Sequence, residues 1–264
     1  MCHSLNLFPS LQKIKIMKVQ YLFIFLVFSL TSSAQDDFQQ KIKQQFYNAY
    51  LSNTPQIWED GIQKLNTLYQ ESNKIEVLYQ ITHAEFGIIG TYMGKGDKES
   101  ATKWIEKAEE HANILLEKNK DWPEALALMA NILSIKVGLN PMSGMTLGPK
   151  SERYAKRAMK KNDQLPEVWS QRAGSYYHTP KMFGGSIKKA VENYEKTVAL
   201  YERNIDALHY NWNYLDALAW LGQAYTKNED YNQAKMTYEK ALRVAPDFGW
   251  VKHVLLPSVE KKIE

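Results

Sequence analysis

Residues 215–246, LDALAWLGQAYTKNEDYNQAKMTYEKALRVAP, space small and bulky side chains as two closely packed antiparallel helices require. Leu218, Leu221 and Tyr225 recur at helical intervals around Gly222, and Ala234, Tyr238 and Ala241 do the same before the closing Pro246. Small residues let the helix axes approach, large ones fill the space beside them, and Asn228 to Asp230 supply the turn. One such hairpin cannot bury its own apolar face, so the pattern demands further hairpins stacked against it.

Three weaker copies keep the same mutual distances. One, at 166–202, has Trp169, Ala173 and Tyr176, then Ala190 and Tyr194. The copy at 123–162 has Leu126, Met129, Ala130 and Leu133, then Ser151, Ala155 and Ala158. The earliest has Ile88 and Tyr92, then Ala101, Ile105 and Ala108 beyond Gly96-Asp97, and residues 36–72 are expected to add one more helix pair. Tyr92 to Ala101 and Tyr225 to Ala234 each span nine positions, which suits a short turn. Tyr176 to Ala190 and Leu133 to Ser151 span fourteen and eighteen, so HTPKMFGGS and GLNPMSGMTLGPKS are read as loop insertions on one edge of the array. A further surplus lies at YERNIDALHYN, and Pro257 is expected to end or kink the closing amphipathic segment.

No run alternates apolar and polar residues over a strand length, whereas helical periodicity recurs, as in Trp104, Ile105, Ala108, Ala112 and Leu115. The expected fold is all-α, a helical-hairpin solenoid forming a single domain over 35–264. The 215–246 pattern resembles the tetratricopeptide repeat signature of large apolar residue, Leu-Gly, Tyr, small Ala, aromatic and closing Pro, with Leu218 where Trp is usual. By that resemblance the first helix of each pair lines a concave groove, carrying Glu124, Ala127 and Asn131, then Glu167, Ser170, Gly174 and Tyr177, then Asp216, Ala219, Gln223 and Lys227. This face lacks the Lys and Asn array by which some members of the superfamily clamp a peptide carboxylate. GPKSERYAKRA and TPKMFGGSIKKAVENYEKTVALYE also resemble exported repeat proteins of Bacteroidota, and the Gly-Gly loop resembles the periplasmic repeat partner of tripartite solute transporters.

Residues 17–34, MKVQYLFIFLVFSLTSSA, join a Lys, an apolar run of about ten residues and small residues ending at Ala34, the layout of a cleaved secretory signal. The expected division is therefore a leader and signal at 1–34, cleaved after Ala34, and a periplasmic or secreted repeat domain without stable membrane insertion; Met17 competes with Met1 as the start. The one cysteine, Cys2, lies in this leader, so the remaining chain is stabilised by packing without disulfides. Three of the four net positive charges (Lys13, Lys15 and Lys18) leave with it, and a chain of about +1 is a poor general binder of nucleic acid.

Catalytic constellations are missing. There is no nucleophile elbow and no Cys–His pair, and His83, His111, His178, His209 and His253 are scattered singly, so no enzymatic role, catalytic residue, metal or cofactor is expected. Gly184-Gly185-Ser186 before a helix reads either as an anion-receiving turn or as a tight turn with an N-cap. Gly148-Pro149-Lys150-Ser151 carries the same ambiguity, with Pro149 suited to a first helical turn. The expected activity is capture of a protein or peptide. Candidate contacts are Met142, Met145 and Lys150 on the first insertion, and Tyr177, His178, Met182, Phe183, Gly184 and Gly185 around the second. Asn131 and Gln223 are the candidates on the groove. The alternative is a solute-transporter accessory that holds a small ligand beside a substrate-binding protein.

Overall fold

A computed structural model describes residues 36–264. Compactness divides the chain into 1–44 and Gln45–Glu264. In the first unit the described residues begin helix α1, which spans 36–52; all that follows concerns the second unit.

The expected hairpins are present. Helix α1 leads to α2 (Pro55–Ser72), and α3 (Ile75–Gly94) pairs with α4 (Lys98–Lys118). Next come α5 (Pro123–Leu139) with α6 (Gly144–Lys161), and α7 (Pro166–His178) with α8 (Ile187–Tyr201). The last pair is α9 (Trp212–Lys227) with α10 (Tyr231–Val244), and α11 (Leu256–Ile263) packs on α10. No strand occurs among the described residues. Proline opens α2, α5 and α7, where its missing amide costs nothing, and side chains of Asp97, Ser186 and Asn211 cap α4, α8 and α9.

Small residues set the helix spacing. A Cβ on Gly222 would lie 2.2 Å from the Tyr238 ring, and one on Gly87 would lie 2.4 Å from that of Trp58. In the α5–α6 pair Ser151 stands where alanine is usual, and its hydroxyl donates to the Ala130 carbonyl at 2.8 Å, so the polar atom is satisfied at the close approach.

Three sequence expectations need correction. GLNPMSGMTLGPKS is mostly helix: α5 runs on to Leu139, α6 starts at Gly144, and only a 3₁₀ turn at Pro141–Ser143 separates them. Pro149 consequently sits inside α6 rather than at its start, removing the amide that would bond the Met145 carbonyl. Pro257 does not end the closing helix, because a π-turn at Val251–Leu255 precedes it and the Leu256 amide reaches back to the Val251 carbonyl.

The third correction concerns the concave face, which the chain fills with its own side chains where α1, α2 and α3 meet α9. Tyr47, Tyr50 and Leu51 of α1 pack on the cluster built by Leu215, Leu218, Tyr238 and Phe248. Tyr50 donates to Asp216 at 2.9 Å, and the Trp58 ring meets that of Trp212 edge-on at 5.4 Å. His83 stacks on Trp212 at 4.8 Å and bonds Asn213 at 3.1 Å. Ala127 and Ala219, expected in an open groove, are fully covered, and Glu167 accepts a hydrogen bond from Tyr201 at 3.1 Å. First and last hairpins thus meet across the face that an ordinary array leaves open.

Candidate functional site

The α5–α6 and α7–α8 turns lie at one edge. Helices α5 and α7 touch, and two chain reversals return α7 to the direction of α5, so their C-terminal ends point the same way. The shorter α3–α4 and α9–α10 turns flank them.

At the first tip, the Ser143 amide bonds the Asn140 carbonyl at 3.0 Å, its hydroxyl bonds the same oxygen, and the Thr146 hydroxyl bonds the Ser143 carbonyl. This compact turn holds Met142 and Met145 outward, each 90% exposed. Lys136, at the base of the tip, pairs with Glu109.

At the second tip the peptide amides are used internally. Phe183 and Gly185 donate to the Pro180 carbonyl at 2.9 and 3.2 Å, Gly184 to Lys181 at 3.1 Å, and Ser186 to Tyr176 at 3.0 Å. The tight-turn reading of Gly184-Gly185-Ser186 is therefore the right one: these amides are committed, and the Ser186 side chain caps α8 by accepting the Lys189 amide. Gly184 occupies the left-handed region at φ 96°, open to glycine without strain. Gly185 is buried, and a Cβ there would fall 1.7 Å from the Thr179 carbonyl oxygen. This frame presents Met182 and Phe183, 83% and 71% exposed. Gly185→Ala is accordingly expected to cost about 1–3 kcal/mol and to shift the Met182 methyl resonance while Met129, deep in the core, keeps its own. An unchanged Met182 signal and melting temperature would mean the tip is not rigid.

Tyr177 and His178 close α7 beneath this tip. Their rings meet Trp220 edge-on at 5.5 and 5.1 Å, and the Lys227 ammonium lies 4.4 Å from the Tyr177 ring centroid. His178 keeps an exposed edge while its packed face and the Lys227 charge hold its pKa below the usual imidazole range. Asn131 and Gln223 are partly buried further back on α5 and α9; Asn131 lies about 12 Å along the helix from Leu139. They do not belong to the apolar rim. Lys150 is partly buried in α6, and Lys181, Lys188 and Lys189 around the second tip are exposed; none of the last three was among the sequence candidates for partner contact. Open hollows of about 500 and 270 Å³ lie on α10 and α11, away from every candidate residue.

This architecture defines a class: stacked α-hairpins whose exposed apolar residues lie at one edge and whose first and last hairpins meet through aromatic packing. The tetratricopeptide repeat family model matches residues 215–248. That hairpin is a tetratricopeptide repeat, and the hairpins stacked before it share its helix-turn-helix form. The fold of the chain is similar to that of the HusA haemophore from Porphyromonas gingivalis, at TM-score 0.58 and 20% identity over 71% of this chain and 92% of that one. It is similar also to TTC0263, a thermophilic TPR protein in Thermus thermophilus, at TM-score 0.53 and 16% identity over 78% and 91%. No curated protein matches the sequence.

Proposed function

We propose that the chain is an exported, non-enzymatic scaffold that captures a protein partner on the rim formed by its two extended hairpin tips. One observation carries this reading: Met142, Met145, Met182 and Phe183 are 71–90% exposed on internally bonded turns at the same edge. Large apolar side chains held outward mark interaction sites, and a rigid presentation lowers the entropy lost on binding. Methionine adapts its shape to a partner, while Phe183 supplies a stiff anchor. The filled concave face moves recognition from the groove to the rim. Export rests on the leader at 1–34, which lies outside the described residues.

The test places a photocrosslinking residue at exposed Thr146 in the full chain in intact cells, with and without Met182→Ala/Phe183→Ala. If these are hot-spot side chains, truncation costs about 2 kcal/mol or more, and adduct yield falls roughly thirty-fold. Unchanged yield with the double variant would remove the rim from recognition.

A small-ligand carrier is the second reading. It is favoured by the half-exposed Tyr177–His178–Trp220 cluster beside Lys227, and by similarity to a protein named a haemophore. Native mass spectrometry showing a stoichiometric small molecule, lost in Trp220→Ala, would favour it over the scaffold.

A further inference from the structure

We infer that the partner segment seated on the rim is acidic as well as apolar, a refinement that rests on the scaffold reading above. From 125 to 151 and from 168 to 191 the chain contains no Asp or Glu, and these two stretches build both tips. Over the same stretches it carries Lys150, Arg172, Lys181, Lys188 and Lys189 besides Lys136. Lys136 is neutralised by Glu109, but Lys150, Lys181, Lys188 and Lys189 form no ion pair among the described residues. The apolar apices therefore stand among uncompensated cations.

Charge on the neighbouring elements sharpens the assignment. The α3–α4 turn on one side carries Asp97 between Lys95 and Lys98, and the α9–α10 turn on the other carries Glu229 and Asp230 after Lys227. Along the edge the pattern runs mixed, basic and apolar, basic and apolar, then acidic. A partner segment with carboxylates flanking its apolar residues is attracted to the central tips and repelled at the acidic end. Its position is thereby limited, because charge at an interface rim sets register and encounter rate more than affinity. The same arrangement disfavours an anionic bilayer. A flat leaflet meeting this edge would attract the central lysines but bring Glu229 and Asp230 towards its own negative charge.

The experiment uses the Thr146 crosslinker in the full chain, compares Lys181→Glu/Lys188→Glu/Lys189→Glu with the corresponding triple arginine variant, and maps the crosslinked segment. The expected result is a segment of net negative charge, a tenfold or greater loss of adduct in the glutamate variant, and retention in the arginine variant. Melting temperatures should be unchanged, since all three lysines are exposed. A neutral or basic segment, or equal yields from both triple variants, overturns the acidic partner while leaving the apolar rim in place. Absence of any protein adduct overturns both readings. Adducts confined to lipid, with binding of purified protein to vesicles containing anionic phospholipid, replace both with a membrane surface.

Discussion

Trp58→Ala is expected to lower stability by about 3–5 kcal/mol, the range for deleting a fully buried large aromatic side chain. Trp58 has no exposed surface and joins four elements. Its ring stacks on Phe46 of α1 at 5.2 Å, fills the space left by Gly87 of α3, and meets Trp212 of α9 edge-on. In an array whose repeats touch only their neighbours, an end hairpin unfolds alone at low cost. Here the first hairpin also contacts the last, so removing Trp58 should free α1 and α2 to open separately. The midpoint should fall on the order of 10 °C. Amide exchange should rise in 45–72 and in 212–216 while 125–135 changes less. Uniform acceleration throughout would show that the closure is not an independent contact. The indole N–H of Trp58 has no acceptor among the described residues. Trp58→Phe therefore loses less than alanine does, since it keeps most of the volume and removes a buried unsatisfied donor.

The sequence made the hairpins legible because their packing is local. Gly222 and Tyr238 come into contact across one turn, and the spacing of Ala234 and Ala241 follows from the same approach of two helices. The closure was hidden, since Tyr50 and Asp216 are 166 residues apart and nothing in either neighbourhood names the other. A partial signal existed: Tyr47 and Tyr50 add bulky rings to a helix that already buries Phe46 and Ala49, more apolar area than one facing helix covers. Surplus residues between repeats were visible, but not whether they formed loop or helix. At 138–151 the helices absorbed them despite Pro149, whereas at 179–186 Pro180 and the Gly184-Gly185 pair held the chain in a turn. The rim residues Met142, Met145, Met182 and Phe183 could be picked out because large apolar side chains in such turns have no helical partner to cover them. Of the lysines around them only Lys150 was picked out; the acid-free stretches are visible in the sequence, but that Lys181, Lys188 and Lys189 have no ion-pair partner among the described residues is a fact of spatial arrangement.

Asp216→Asn is expected to stabilise the protein at pH 7.5 and to leave it nearly unaffected at pH 4. Burial between α1 and α9 raises the Asp216 carboxyl to about 6, although the hydrogen bond from Tyr50 pulls the other way. Because the folded pKa lies above the unfolded one, near 4, the folded state holds this proton more tightly. The resulting stability is complete below the unfolded value and disappears as pH rises through about 6. The full swing is at most about 3 kcal/mol, and asparagine escapes it while its carbonyl oxygen still accepts from Tyr50. His83 contributes with the opposite sign: burial lowers its imidazole to about 4, so its stability is present above the unfolded value and is lost as pH falls through that of the folded state. In the native chain these two slopes offset one another between about pH 4 and 6. Without Asp216 the slope from His83 is no longer offset, so relative to the native chain the stability of the variant should decline more steeply as acid is added across that interval. Urea unfolding from pH 4 to 8 compares the two proteins directly. A difference between them that does not grow with pH would mean that Asp216 is hydrated in the folded state and that the junction of α1 with α9 is looser than the Tyr50 contact implies.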